Sequence, residues 1–193
     1  MRKPSQWIVA VAVLALPAGS GAVVSRFGQQ LIVQAGISGP EEGDQFGLTL
    51  AVGDFDDDGY PDLAIGAPQE DFIDVLNSGA VSVHYGGPGG LGTRIDGFTQ
   101  GSGQVPDELA VADQFGLSLA AGDFDGDSID DLAIGAWDAV GGVVQAGSVT
   151  VLYGAVGGLN DLGGAQWWTQ ATSGVSGSPA NNDFFGSDLV AGD

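Results

Sequence analysis

The sequence predicts an all-β chain, on three observations: a long segment that recurs every 69 or 70 residues, apolar residues of period two, and glycine-rich turns between short apolar runs. "DQFGLTLAVGDFDDDGYPDLAIGAP" starts at Asp44, "DQFGLSLAAGDFDGDSIDDLAIGAW" at Asp113, and "DFFGSDLVAGD" at Asp183. Between these anchors "GAVSVHYGGPGGL" from Gly79 matches "GSVTVLYGAVGGL" from Gly147, and "FTQ" at Phe98 matches "WTQ" at Trp168. Four short strands fit each unit of about 70 residues, which is the pattern of a propeller blade. The expected architecture is a partial β-propeller: about two four-stranded blades, repeats 44–112 and 113–182, and the start of a third at 183–193. A β-sandwich and a β-solenoid are the competing architectures.

The elements of one unit follow from its alternation. Leu48, Leu50 and Val52 share one side of the first strand, Leu63 and Ile65 one side of the second, and Val81, Val83 and Tyr85 one side of the third. A fourth strand is expected over 95–100, and over 166–170 in the next unit. A propeller closes only after about four to eight blades, so the chain reads as the front portion of a longer protein whose third repeat is cut at Asp193. Such an arc would expose unpaired edges and apolar blade faces, a setting for aggregation.

Residues 1–22 differ from the rest of the chain. Arg2 and Lys3 precede an apolar stretch from Trp7 to Leu16, then Pro17 and "AGSGA", the order of a secretory signal peptide cleaved after Ala22. The apolar stretch is shorter than the roughly 20 residues that span a bilayer, so a transmembrane helix is the weaker reading. The mature part, 23–193, is expected outside the cell or on its surface, without membrane insertion. A formal charge of −21 excludes nucleic acid and anionic lipid as partners. With no cysteine there are no disulfides, so stability must come from core packing, bound metal or both.

The acidity is concentrated. Asp54, Asp56, Asp58 and Asp62 stand at positions 1, 3, 5 and 9 of a loop, and Asp123, Asp125, Asp127 and Asp131 repeat the spacing; these two windows hold ten of the 25 acidic residues. Carboxylates drawn this close repel unless a cation joins them. Calcium takes six to eight oxygens in a flexible shell, which suits alternate aspartates, the carbonyl of Tyr60 or Ile129 at position 7, and position 9. Gly59 allows the turn; Ser128 in its place predicts weaker binding at the second loop. An EF-hand would need Glu where Ile65 and Ile134 stand, and zinc or copper would want His or Cys. An acidic surface turn holding no ion is the plainer alternative.

No catalytic set is visible. His84, the only histidine, alternates with Val83 and Tyr85 and reads as an ordinary strand residue; no G-x-S-x-G is present. Trp167 and Trp168 read as packing residues before sugar stackers.

With "FG" at Phe46 and Gly47, the acidic loop, and "GAP" at Gly66 to Pro68, the chain resembles the FG-GAP repeat of integrin α subunits and of many bacterial secreted proteins. The second copy has Phe115 and Gly116 but ends "GAW", with Trp137 for the proline; the third has Phe185 and Gly186. The resemblance implies a seven-bladed propeller with calcium in the hairpin between the first two strands of a blade, Asp193 opening a third such loop. It also implies a ligand face at the opposite loops, here 69–78, 101–112 and 138–146. The expected function is a non-enzymatic, calcium-binding module for adhesion or recognition of a protein or glycan partner. The alternatives are the accessory propeller of a secreted, phospholipase-like hydrolase, and a passive spacer.

Overall fold

Among the described residues, short runs of β-branched and small residues between glycine turns fold as eight strands in the computed structural model: β1 (Thr49–Gly53), β2 (Asp62–Ala67), β3 (Ala80–His84), β4 (Ile95–Phe98), β5 (Ser118–Gly122), β6 (Asp131–Ala136), β7 (Ser148–Leu152) and β8 (Gln166–Trp168). The structure describes residues 30, 32–34, 41–72, 74–103, 105–159 and 164–192, so the segment read as a signal peptide and Asp193 lie outside it. The strands make two antiparallel sheets in chain order, β1-β2-β3-β4 and β5-β6-β7-β8. The registers repeat as well: Leu50 faces Ile65, and Leu119 faces Ile134.

Both fourth strands are shorter than the sequence predicts. The Thr99 amide turns to Ser102 Oγ (3.0 Å) and the Thr169 amide to Thr172 Oγ1 (3.0 Å), which ends the ladder before either glutamine.

The two sheets meet through unlike faces. Cross-strand pairing puts Leu50, Val52, Leu63 and Ile65 on one face with Ser82 and His84, and Ala51, Ala64, Val81 and Val83 on the other. That second face packs on Leu132, Ile134 and Leu152 of the next sheet, with Leu119 and Ala121 partly buried against it. The second sheet in turn receives Phe185, Leu189 and Ala191 against Ala120, Ala133 and Val149. Stacking of one face on the other kind of face propagates from repeat to repeat, whereas a sandwich pairs two like inner faces. Meandering sheets packed in this sequence are propeller blades, and β2 and β6 are accordingly buried at every position.

Two features concern the outer side of the first blade. Leu48, Leu50 and Val52 are 60%, 40% and 59% exposed, although the β5 counterparts Leu119 and Ala121 pack on the first blade. The same apolar strand position is thus covered in one blade and open in the other, because its cover comes from a neighbouring blade. In addition, Ile32 is buried with Phe46, Leu63, Ile65, Ala67 and Leu91, matching Phe98 among Phe115, Leu132, Ile134, Ala136 and Leu159. Gln34 Nε2 donates to Glu70 as Gln100 Nε2 donates to Asp138. Residues 32–34 therefore hold against the first blade the place that residues 98–100 hold against the second. The sequence signal was "IVQ" beside "FTQ" and "WTQ".

Backbone contacts explain the paired glycines of each repeat. Gly47 N–H donates to Gly66 O (2.9 Å) and Gly116 N–H to Gly135 O (3.0 Å), tying the start of β1 or β5 to the end of β2 or β6. Gly66 then lies against the next repeat, where a Cβ would come within 2.3 Å of Gly116 O; at Gly135 the equivalent distance to Gly186 O is 2.1 Å. Those two carbonyls also accept the hydroxyls of Thr49 and Ser118, each at 2.6 Å.

Candidate metal centre

The acidic loops are the β1–β2 and β5–β6 hairpins, so the strand register sets their span: Gly53 pairs with Asp62 and Gly122 with Asp131. Between those rungs the chain reverses through left-handed residues, Asp57 (φ 56°) and Gly59 (φ 84°) in the first loop, Gly126 (φ 84°) and Ser128 (φ 77°) in the second. The reversal folds alternate side chains inward. One carboxylate oxygen from each of Asp54, Asp56 and Asp58 lies within 4.8 Å of the others, and Asp123, Asp125 and Asp127 form the same group.

Loop amides organise the first carboxylate. Asp54 Oδ1 accepts from Asp58 N (3.2 Å) and Oδ2 from Gly59 N (2.9 Å); Asp123 Oδ1 accepts from Gly126 N (2.7 Å) and Oδ2 from Ser128 N (2.9 Å). Tyr60 and Ile129, proposed ligands through their carbonyls, donate their amides to Asp58 Oδ1 and Asp127 Oδ1, each at 2.8 Å. Three like charges at this spacing repel by about 1 kcal/mol per pair even at water's dielectric. In the first loop Asp54 and Asp56 are both raised above the ordinary carboxylate pKa, by burial first and by neighbouring aspartates after it.

Position 9 is placed differently. Asp62 and Asp131 are buried beside their loops and outside the three-residue groups. Asp62 Oδ2 accepts from Phe55 N (2.8 Å) and Oδ1 from Gly86 N (2.7 Å); Asp131 accepts from Phe124 N (2.7 Å) and Gly154 N (2.8 Å). These carboxylates brace the base of the hairpin to the turn after β3 or β7. Burial raises Asp62 to about 6, despite those two amides, which act the other way.

The loops of the two blades touch. Asp54 N–H donates to Asp130 Oδ2 (2.9 Å), and Asp130 N–H to Asp54 O (3.1 Å). Sequence spacing did not single out Asp130, because it does not share the odd-position pattern.

The donor set suits a hard divalent cation: all side-chain donors are carboxylate oxygens. In addition, Asp56 Oδ1 is buried with no hydrogen-bond partner, an oxygen still able to accept a ligand bond. His84 is buried on β3 with its pKa lowered by burial, 3.5 Å from Ser82 Oγ. Trp167 Nε1 donates to buried Asp138 (3.3 Å), and Trp168 is 37% exposed.

Residues 46–84 and 115–152 match the family model described as "FG-GAP repeat". Human phosphatidylinositol-glycan-specific phospholipase D is 37% identical over 117 residues, 61% of this chain and 13% of that protein. Integrin alpha-5 of Xenopus laevis is 30% identical over 184 residues, 90% of this chain and 16% of that protein; integrin alpha-6 of Gallus gallus is 36% identical over 92 residues, 47% and 8%. The chain thus spans well under a fifth of the length of these relatives.

Proposed function

The chain carries two FG-GAP repeats like those of integrin alpha chains, and from that premise we propose that it is an exported, calcium-stabilised propeller module that binds a protein or glycan partner. One observation carries the metal part: both blades gather three aspartate oxygens within 4.8 Å at the same hairpin. Asp54, Asp56 and Asp58, and Asp123, Asp125 and Asp127, would hold the ions, with the carbonyls of Tyr60 and Ile129 and the remaining lone pairs of Asp62 and Asp131 completing each shell. A bound ion supplies the positive charge that offsets repulsion in the loop. The recognition part rests on the likeness to integrin alpha chains. No helix among the described residues is long and apolar enough to cross a membrane.

The phospholipase relatives favour a second reading, in which the propeller accompanies a hydrolase. In that reading the catalytic part is not carried by this chain, and a His- and Asp-rich catalytic domain encoded in the same open reading frame would select it.

Calorimetric calcium titration tests the first reading. Two sites are expected, one lost in Asp56→Ala and the other in Asp125→Ala. Sites of this extracellular type bind at about 10⁻⁴ to 10⁻³ M, and at 100-fold excess each stabilises the fold by about 2.7 kcal/mol. A melting temperature indifferent to chelator would overturn the metal assignment. Screening on immobilised matrix proteins and a glycan array, in calcium and in chelator, tests the partner; uniform blanks would favour a passive spacer.

A further inference from the structure

The two loops share a ligand pattern but differ in their surroundings. Arg94, just before β4, places Nη1 3.0 Å from Asp56 Oδ2 and Nη2 3.3 Å from Asp96 Oδ2. Its guanidinium carbon lies 3.8 Å from the centre of the Tyr85 ring, and Nη2 also donates to the Gly157 carbonyl of the second blade. Four partners on four segments, the first loop, the turn after β3, β4 and the turn after β7, fix this side chain, so it is not a free surface arginine that brushes an acid. In the second repeat, counting back from "WTQ" as from "FTQ", the matching position is Gly164. Among the described residues the second loop has no ion pair.

We propose that Arg94 is a tethered counter-ion of the first loop, which competes with the divalent cation for Asp56 and so sets that site weaker than the Asp123–Asp125–Asp127 site. The inference rests on the calcium reading above. The guanidinium occupies one oxygen of a ligand whose other oxygen is buried and unpartnered, and its charge opposes a doubly charged ion nearby. Strain at Ser128, which sequence alone would make the handicap of the second loop, is a cost of folding that the loop carries with or without an ion. The order of affinities is therefore opposite to the one the glycine pattern predicts. Because the same guanidinium holds Gly157, the weaker site has a link to the second blade in addition to the contact between Asp54 and Asp130.

The test is calcium titration of the whole chain in the Asp125→Ala background, which isolates the first loop, with Arg94 present, as Arg94→Gln and as Arg94→Lys. Arg94→Gln should tighten the site by about tenfold, the scale of one charge acting on a divalent ion near water's dielectric. Arg94→Lys, which keeps the charge, should stay near the parent. Melting in chelator and in calcium guards against a folding artefact: Arg94→Gln should lower the melting temperature in chelator and narrow or erase that deficit in calcium. Unchanged or weaker affinity, or an equal deficit in both conditions, overturns the proposal while leaving the calcium reading intact. If neither the parent nor Asp125→Ala nor its Arg94→Gln derivative shows saturable calcium binding, the calcium reading fails and the counter-ion falls with it.

Discussion

Ser128 sits at φ 77° where the first loop has Gly59 at φ 84°, and no atom within 4 Å would meet a Cβ added at Gly59. The difference between the loops at this position is therefore backbone strain alone, about 1 to 2 kcal/mol for a side chain held in the left-handed region. Ser128→Gly should stabilise the chain by about 1 kcal/mol in urea unfolding, equally in calcium and chelator; a loss of stability would show that the serine hydroxyl has a compensating role. The aspartate spacing and the glycine were readable at this scale because a turn constrains residues close in sequence. Arg94 was not, since 38 residues separate it from Asp56 and only the folded sheet brings them together.

Strands were equally legible as elements, because each carries its own period-two pattern. Their ends were not. β4 and β8 stop short where a serine or threonine side chain captures the next amide, a local competition invisible to hydrophobic periodicity. Docking between elements relies on close backbone approach, and Gly135 is its sharpest point: a Cβ there would meet Gly186 O at 2.1 Å and Ser118 Oγ at 2.2 Å. Gly135→Ala should cost about 2 to 3 kcal/mol, the scale of overpacking, read as a lower urea midpoint with unchanged slope. A neutral result would mean that the start of the third repeat does not dock on the second blade in solution. Whether an apolar strand face is covered was also beyond local reading, as Leu50 and Leu119 show from equivalent positions.

Buried acids at the edges of the blades couple the whole molecule to pH. Glu70 is raised to about 7 by burial, then by Asp44, with Gln34 acting the other way; Asp113 is raised to about 7 by burial, then by Asp138 and Asp107. Asp138, held by Gln100, Ser148 and Trp167, is raised by burial as well. A carboxyl whose folded pKa exceeds its unfolded value contributes stability that is fully present below the unfolded value and lost as pH rises through the folded one. In chelator the chain should therefore melt higher at pH 5.5 than at pH 8. Glu70→Gln with Asp113→Asn should flatten that slope; a slope unchanged by both would assign it to the general excess of negative charge instead.

By itself the sequence determined the repeat, the four-stranded unit, the acidic hairpin and the glycines that frame it, because each is written in residues near one another along the chain. Only the tertiary structure decided which apolar faces are covered, that residues 32–34 hold against the first blade the place that residues 98–100 hold against the second, and that an arginine reaches the first loop alone. Those features arise where separate repeats meet, and burial or charge pairing at such a junction is set by what packs across it, which no local pattern encodes.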